Sequence, residues 1–237
     1  MEFEKLNAVS VKDQFIQQME HAILSGQLKP GDELPTEREL ANDMGVSKTA
    51  VHDGMKELKR KGFLDVLTRR GTRVADYMNT GKIEVLDALP TYQSDPMDYK
   101  LVQDIADVRV LLEGDAARRI VTRGDPNNIT ALRQQEQHIF DVLDSDDETF
   151  ARAVFDYDLT MIRLGGNTVS LLIFNSFADT TMPFWQRSIA IFGRDKHLDA
   201  ISTTTDLLEE GDFEEALSRL ETAMAEFKKR YKKKETA

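Results

Sequence analysis

Lys48, Thr49, His52 and Lys56 stand at spacings that gather two ammonium groups, a hydroxyl and an imidazole on one side of a helix. The chemistry of that set is recognition: cations for phosphates and guanine edges, a hydroxyl and a ring nitrogen for hydrogen bonds to bases in a major groove. Shortly after it, Arg69, Arg70 and Arg73 put three guanidinium groups within five residues. Their planar donor forks suit a narrow groove walled by phosphate oxygens.

The surrounding residues supply the elements that would hold those groups in place. Thr36 is spaced to cap the Glu39 amide while Glu39 reaches back, which predicts a helix start, and Gly45 stops that helix. Ser47 is a second N-cap, and beyond it Val51, Met55 and Leu58 form one apolar stripe that leaves the basic face free. Lys61-Gly62 ends this pattern. Residues 63–67 then alternate toward β structure, and Arg69-Arg70-Gly71 turns the chain into Thr72-Arg73-Val74. Helix, turn, helix and basic hairpin in this order read as a winged helix-turn-helix that binds double-stranded DNA.

Charge is focused on that unit. Between Lys48 and Arg73 eight Lys/Arg stand against three Asp/Glu, a local excess of five positive charges in a chain of net charge −11, so the remainder carries −16. An acidic body repels DNA and turns the basic patch toward it. With 237 residues, 41% of them hydrophobic, there is material for one small domain and one mid-sized one. No cysteine is present, which excludes disulfides, thiolate metal sites and a cysteine nucleophile. The first ten residues lack the basic flank and apolar core of a signal peptide. The apolar stretch at residues 169–192 is interrupted by Asn175, Asp179, Pro183, Gln186 and Arg187, which argues against a membrane span and for a helix kinked or broken near Pro183. A cytoplasmic protein with no membrane partner is expected.

Beyond residue 82 amphipathic segments follow one another between short breaks. Asp95-Pro96 and Asp125-Pro126 read as N-caps with Pro at the first helical position, and Ser145 to Glu148 and Asp212 to Glu215 as capping boxes. Helices are expected at residues 98–123, 127–143, 147–164, 168–192, 196–210 and 212–231. The fold class is therefore mainly α: a winged helix-turn-helix domain with a small β-wing at residues 1–75, a partly helical linker at 76–94, and an all-α antiparallel bundle at 95–237. Within the bundle, Arg109 and Glu113 lie one turn apart and read as a buried pair or the edge of a pocket. Trp185, with Phe177, Phe184 and Phe192, fits either plain core or the apolar lining of a ligand site. Asp156 and Asp158 read as solvated charges on different faces, and the basic run at residues 228–234 as a solvated helix end.

Residues 26–41, GQLKPGDELPTERELA, together with Lys61-Gly62-Phe63-Leu64 and Gly71-Thr72-Arg73-Val74, resemble the signature of GntR-family transcription regulators. Residues 107–113, Gly166-Asn167 and residues 210–216 are similar to the helical ligand-binding domain of that family's FadR branch. The resemblance implies a bacterial regulator, a homodimer on a palindromic operator, acting as a repressor released by a small anionic or acyl metabolite such as an acyl-CoA or fatty acid. By position it assigns DNA contacts to Arg38, Ser47, Lys48, Thr49, His52, Arg69 and Arg70. Many relatives hold a divalent metal through an aspartate, a histidine four residues later and two further histidines. The matching positions here are Val154, Asp158, Ile201 and Ala223, so no metal and no cofactor is expected. With that ligand set replaced, an anionic effector would rest on Arg109, Arg163 and Arg187 beside Phe177, Trp185 and Phe192. An enzyme of the aminotransferase-like kind found among wider relatives would need several hundred more residues and a cofactor lysine, so none is expected. A regulator or architectural DNA binder without a small-molecule effector stays open.

Overall fold

Ser10 accepts the Asp13 amide and opens α1 (Val11–Leu24), to which the sequence reading assigns no element. The computed structural model describes residues 10–67, 71–85, 88, 99–176 and 178–235, divided into two units, Met1–Pro96 and Met97–Ala237. In the first, α2 (Glu37–Asp43) begins at the Thr36 capping box, and Gly45 follows it in the left-handed region at φ 66°, where a side chain would be strained. Ser47 caps α3 (Lys48–Lys61), and β1 (Leu64–Leu67) pairs antiparallel with β2 (Gly71–Val74), Leu64 opposite Val74 and Leu67 opposite Gly71. The chain entering α2 extends this wing, since Leu34 N donates to Thr72 O at 2.8 Å and Val74 N to Asp32 O at 2.9 Å.

The core of this unit explains why α1 is needed. Val51, Met55 and Leu58 form the buried stripe of α3 and pack with Phe15, Ile16, Met19 and Ile23 of α1. Without those four side chains the stripe would face water. Helix α4 (Tyr77–Thr80) and a 3₁₀ turn at Ile83–Val85 follow the wing, and Tyr77, Val85 and Ala88 pack against the same core. Residues on both sides of position 75 thus share one hydrophobic cluster.

The second unit is helical throughout its described residues: α5 (Tyr99–Arg123), α6 (Pro126–Asp141), α7 (Asp147–Gly165), α8 (Thr168–Ser176), α9 (Ala178–Phe192), α10 (Arg194–Glu210) and α11 (Phe213–Glu235). Asp125 caps α6 with Pro126 at its first position. The cap of α7 is Asp146, whose carboxylate accepts the Thr149 amide at 2.9 Å, and not the expected Ser145. Asp212 accepts the Glu215 amide as its spacing predicts. The expected helix at residues 168–192 is described as α8 and α9, with residue 177 outside the described residues. Pro183 lies inside α9 and does not end it. Its missing N–H leaves one carbonyl of the preceding turn without a helical donor, a local cost offset by the burial of Phe184 and Trp185.

Helix α5 lies along α7 and α11, and α7 also packs on α6, α8 and α9. Phe155, Phe174, Phe184, Trp185 and Phe227 form the aromatic centre, with ring centroids 4.9–6.0 Å apart. The basic run at the C-terminus is exposed at Lys229, Arg230 and Lys232, as expected, but it is also anchored: Tyr231 is buried, Lys228 pairs with Asp107 at 2.8 Å, and Lys232 lies over the Tyr99 ring. Gly165 of α7 faces Ala116 of α5 at close range, and a Cβ added at Gly165 would sit 2.7 Å from the Ala116 Cα. Gly165→Ala should therefore cost about 1–3 kcal/mol by forcing two backbones apart. A urea midpoint equal to that of the parent would show that the helices separate freely. No helix among the described residues is long and apolar enough to cross a membrane.

Candidate nucleic-acid interface and effector cavity

The N-terminal turn of α3 carries the recognition set. Ser47 Oγ accepts the Ala50 amide at 3.1 Å, which fixes the helix start and leaves Lys48, Thr49, His52 and Lys56 exposed, opposite the Val51–Met55–Leu58 stripe. Arg38 is exposed on α2. His52 Nδ1 lies 2.9 Å from Glu37 Oε1, so this imidazole ties α3 to the start of α2 while Nε2 stays available. Lys48 and Lys56 pair with no carboxylate among the described residues. Arg69 and Arg70, the expected wing contacts, lie outside the described residues.

Not all of the positive charge counted from the sequence belongs to that face. Arg60 is held by Glu57 at 2.6 Å and Glu84 at 2.8 Å, Lys61 by the buried Glu20 at 2.7 Å, and Arg73 by Asp65 at 3.3 Å. These pairs brace the α1–α3 packing and the wing. Counting charges along the chain cannot separate them from groove-facing cations, because their partners lie up to 41 residues away.

In the second unit a cavity of about 500 Å³ opens between α5, α7, α9, α10 and α11. Its floor is a charged cluster. Arg109 Nε donates to Glu113 Oε1 at 2.6 Å, and Nη2 donates to Glu113 Oε2 at 3.2 Å and Asp158 Oδ2 at 2.8 Å. Trp185 Nε1 donates to the same Asp158 oxygen at 2.9 Å, and the guanidinium stacks 4.9 Å from the indole. Arg109, Glu113 and Asp158 are only 8%, 2% and 5% exposed. Burial works against the Arg109 charge, but Asp158 and Glu113 more than offset it and hold the guanidinium above its usual range. Burial raises both carboxyls above theirs, against the pull of Arg109, and pushes Glu113 up to about 7.

The Arg109–Glu113 pair is thus both of its expected alternatives at once, buried and at the pocket edge. Asp158 is not a solvated helix charge. Arg109 of α5 reaches it across 49 residues of sequence, a contact invisible to a reading confined to one helix. His197 and Ser188 complete the wall: the Gly193 carbonyl, 2.9 Å from Nδ1, requires the proton there, so Nε2 accepts the Ser188 hydroxyl at 3.0 Å. Burial keeps this imidazole below its usual range and hence neutral near pH 7.

Three residues expected to bind the effector do not line this cavity. Arg163 and Arg187 are exposed and do not line the cavity, because their positions on α7 and α9 point away from the bundle interior. Trp185 is 1% exposed and sits behind the floor as core, bonded to Asp158. Phe192 does line the cavity, and Phe177 lies outside the described residues. Val154, Ile201 and Ala223 face the same space with aliphatic side chains, and Asp158 is already engaged by Arg109 and Trp185. These residues do not fit a divalent metal. Elemental analysis of tag-free protein should find no tightly held transition metal, and one per chain would overturn that expectation.

Residues 12–74 match the family model described as bacterial regulatory proteins, gntR family, and residues 104–226 match that of the FCD domain. The regulator Mce2R of Mycobacterium tuberculosis is 26% identical over 177 residues, 75% of this chain and 72% of that one. A fatty acid metabolism regulator of Shewanella pealeana is 28% identical over 158 residues, 66% of this chain and 63% of that one. Among solved structures, the protein Lar, which controls the agr system of Listeria monocytogenes, has a TM-score of 0.65 over 95% of this chain and 98% of its own. At 16% identity this is a likeness of fold.

Proposed function

The chain belongs to the gntR family of bacterial regulatory proteins and carries an FCD domain, and from that premise we propose how this DNA-binding, ligand-responsive transcription regulator works. The exposed set on α3 enters the major groove, with Lys48, Thr49 and His52 at base edges and Arg38 and Ser47 on the backbone, while Arg69 and Arg70 serve the wing. Two such helices on a homodimer read the two halves of a palindromic operator. The cavity in the FCD domain binds a small effector that shifts the DNA-bound population, releasing the repressor, and a cytoplasmic location follows from that role.

One observation carries the DNA reading: the capped start of α3 displays Lys48 and Lys56, which have no acidic partner among the described residues, opposite a buried apolar stripe. Anisotropy titrations against fragments of the protein's own upstream region, repeated at several salt concentrations, test it. A palindromic site bound well above random DNA supports the reading, and equal affinity for both sinks it. Membership of the FadR branch is supported by the likeness to the fatty acid metabolism regulator, and an acyl effector by the apolar walls around Phe192 and Met161. Of the arginines expected to hold an anionic head group, Arg163 and Arg187 do not line the cavity, and Arg109 does so while bonded through Nε and Nη2 to Glu113 and Asp158. A melting-temperature screen across metabolites separates a sensor from an effector-free DNA binder, since a ligand at a hundred times its Kd adds about 2.7 kcal/mol of stability.

A further inference from the structure

The buried polar side chains that line the cavity are Arg109, Glu113, Tyr157, Asp158 and Ser188, and most of their polar atoms are engaged within the bundle. Both Glu113 oxygens accept from Arg109, Tyr157 Oη donates to Thr205 Oγ1 at 2.8 Å, and Ser188 donates to His197. Two atoms are left over. Arg109 bonds through Nε and Nη2 but not through Nη1, and Asp158 accepts from Arg109 and Trp185 on Oδ2 but nothing on Oδ1. Among the described residues no fully buried side-chain nitrogen or oxygen lacks a partner, so Nη1 and Oδ1 both open onto the cavity that their residues line.

The two atoms belong to the two halves of one ion pair. Nη1 shares its carbon with the Nη2 that donates to Asp158, and Oδ1 shares its carbon with the Oδ2 that accepts, so a free donor and a free acceptor stand beside each other on the floor. Neither sign of charge prevails around them. One guanidinium faces two carboxyls, but burial pushes Glu113 up to about 7, so near neutral pH the carboxyls hold a proton part of the time. Nearer the mouth the signs alternate: Lys196 and Asp199 are both exposed on α10, Glu215 is paired with Arg219, and Glu226 with Arg230. A lone carboxylate on this floor would satisfy Nη1 and leave Oδ1 stripped of water beside it, and a lone ammonium would do the opposite.

We propose that the effector's polar head carries an acceptor and a donor side by side with no net charge, as a zwitterionic amino acid or a primary amide does, the acceptor on Arg109 Nη1 and the donor on Asp158 Oδ1. This rests on the reading of the cavity as the effector site and names the head group it takes. The rest of the ligand is apolar and lies against Val154, Met161, Phe192 and Ile201.

The test uses the full-length protein and four probes built on one phenyl ring. L-Phenylalanine carries both groups, hydrocinnamate lacks its ammonium, phenethylammonium lacks its carboxylate, and hydrocinnamamide offers donor and acceptor without charge. Trp185 is the only tryptophan, and its indole N–H donates to Asp158, so its ¹⁵N–¹H resonance reports on the floor directly. Phenylalanine or hydrocinnamamide should shift that resonance and bind about tenfold or more tightly than both single-group probes, a difference on the order of 1.4 kcal/mol. Which of the two does so identifies the head as zwitterion or amide. Asp158→Asn keeps an oxygen for Arg109 and Trp185 but sets an amide nitrogen, a donor, in place of Oδ1. In that variant hydrocinnamate should bind at least as tightly as phenylalanine, a reversal that a merely structural role would not produce. If the variant does not fold, the wild-type ranking still decides. Hydrocinnamate or phenethylammonium binding the wild type as tightly as the two-group probes, or an unchanged ranking in the folded variant, would overturn the assignment while leaving the cavity as an effector site. No displacement of the resonance by any probe at millimolar concentration would overturn both.

Discussion

Arg109→Ala should destabilise the FCD domain by about 3–5 kcal/mol, because it leaves Glu113 and Asp158 buried without their counter-charge. Surface pairs of the same geometry give far less, since water replaces the lost partner. Here the guanidinium also stacks on Trp185 and Phe184, so the truncation removes packing as well. Urea unfolding followed by Trp185 fluorescence measures the loss. A change under about 1 kcal/mol, of the size seen for exposed pairs, would mean that the cluster is open to solvent. The triple variant Arg109→Met, Glu113→Gln, Asp158→Asn should recover much of it, because neutral amides need no counter-ion.

The same cluster sets a pH dependence. Burial holds Glu113 at about 7, above its ordinary 4.5, so folding takes up a proton between those values. Its contribution is fully present below about 4.5 and is lost as pH rises through about 7, so stability attributable to this site declines across that window. Asp158 is shifted in the same direction and shares the proton. Glu113→Gln should flatten the decline. A decline as steep as that of the parent would place the titrating group elsewhere.

The two units differ in how far they could be read in advance, for a physical reason. The winged unit is built from local signals: Thr36 with Glu39, Ser47 with Ala50, and the 51–55–58 stripe each span a single helical turn or two. Its missing element was α1, whose apolar residues are recognisable only as the cover for the α3 stripe. The bundle's helices were legible through caps such as Asp125, but the cavity was not. Asp158 looks like any charge on an amphipathic helix until Arg109 reaches it across the bundle, and Arg163 and Arg187 look available until their faces are fixed. The positions of Val154, Ile201 and Ala223 came from the resemblance, and the structure brings all three to the cavity wall.

Charge in the winged unit divides in the same way, and this leads to the second large effect. Lys48 and Lys56 are exposed on α3 without an acidic partner among the described residues, whereas Lys61 is spent on Glu20. Lys48→Ala with Lys56→Ala should weaken operator binding by roughly 2–4 kcal/mol and flatten the salt dependence by about one to two in log–log slope, while thermal stability stays unchanged. Lys61→Ala should do the reverse, because it removes the cation paired with the buried Glu20 carboxylate: the fold weakens, and the protein that remains folded binds the operator as before. Anisotropy at several salt concentrations, paired with melting curves on the same samples, reads both quantities. Specificity adds a further distinction. Loss at one operator position marks a lysine on a base edge, whereas equal loss on all sequences marks a phosphate contact. Should the double variant bind operator as tightly as the parent, the face of α3 carrying Lys48 and Lys56 is not the one in the groove.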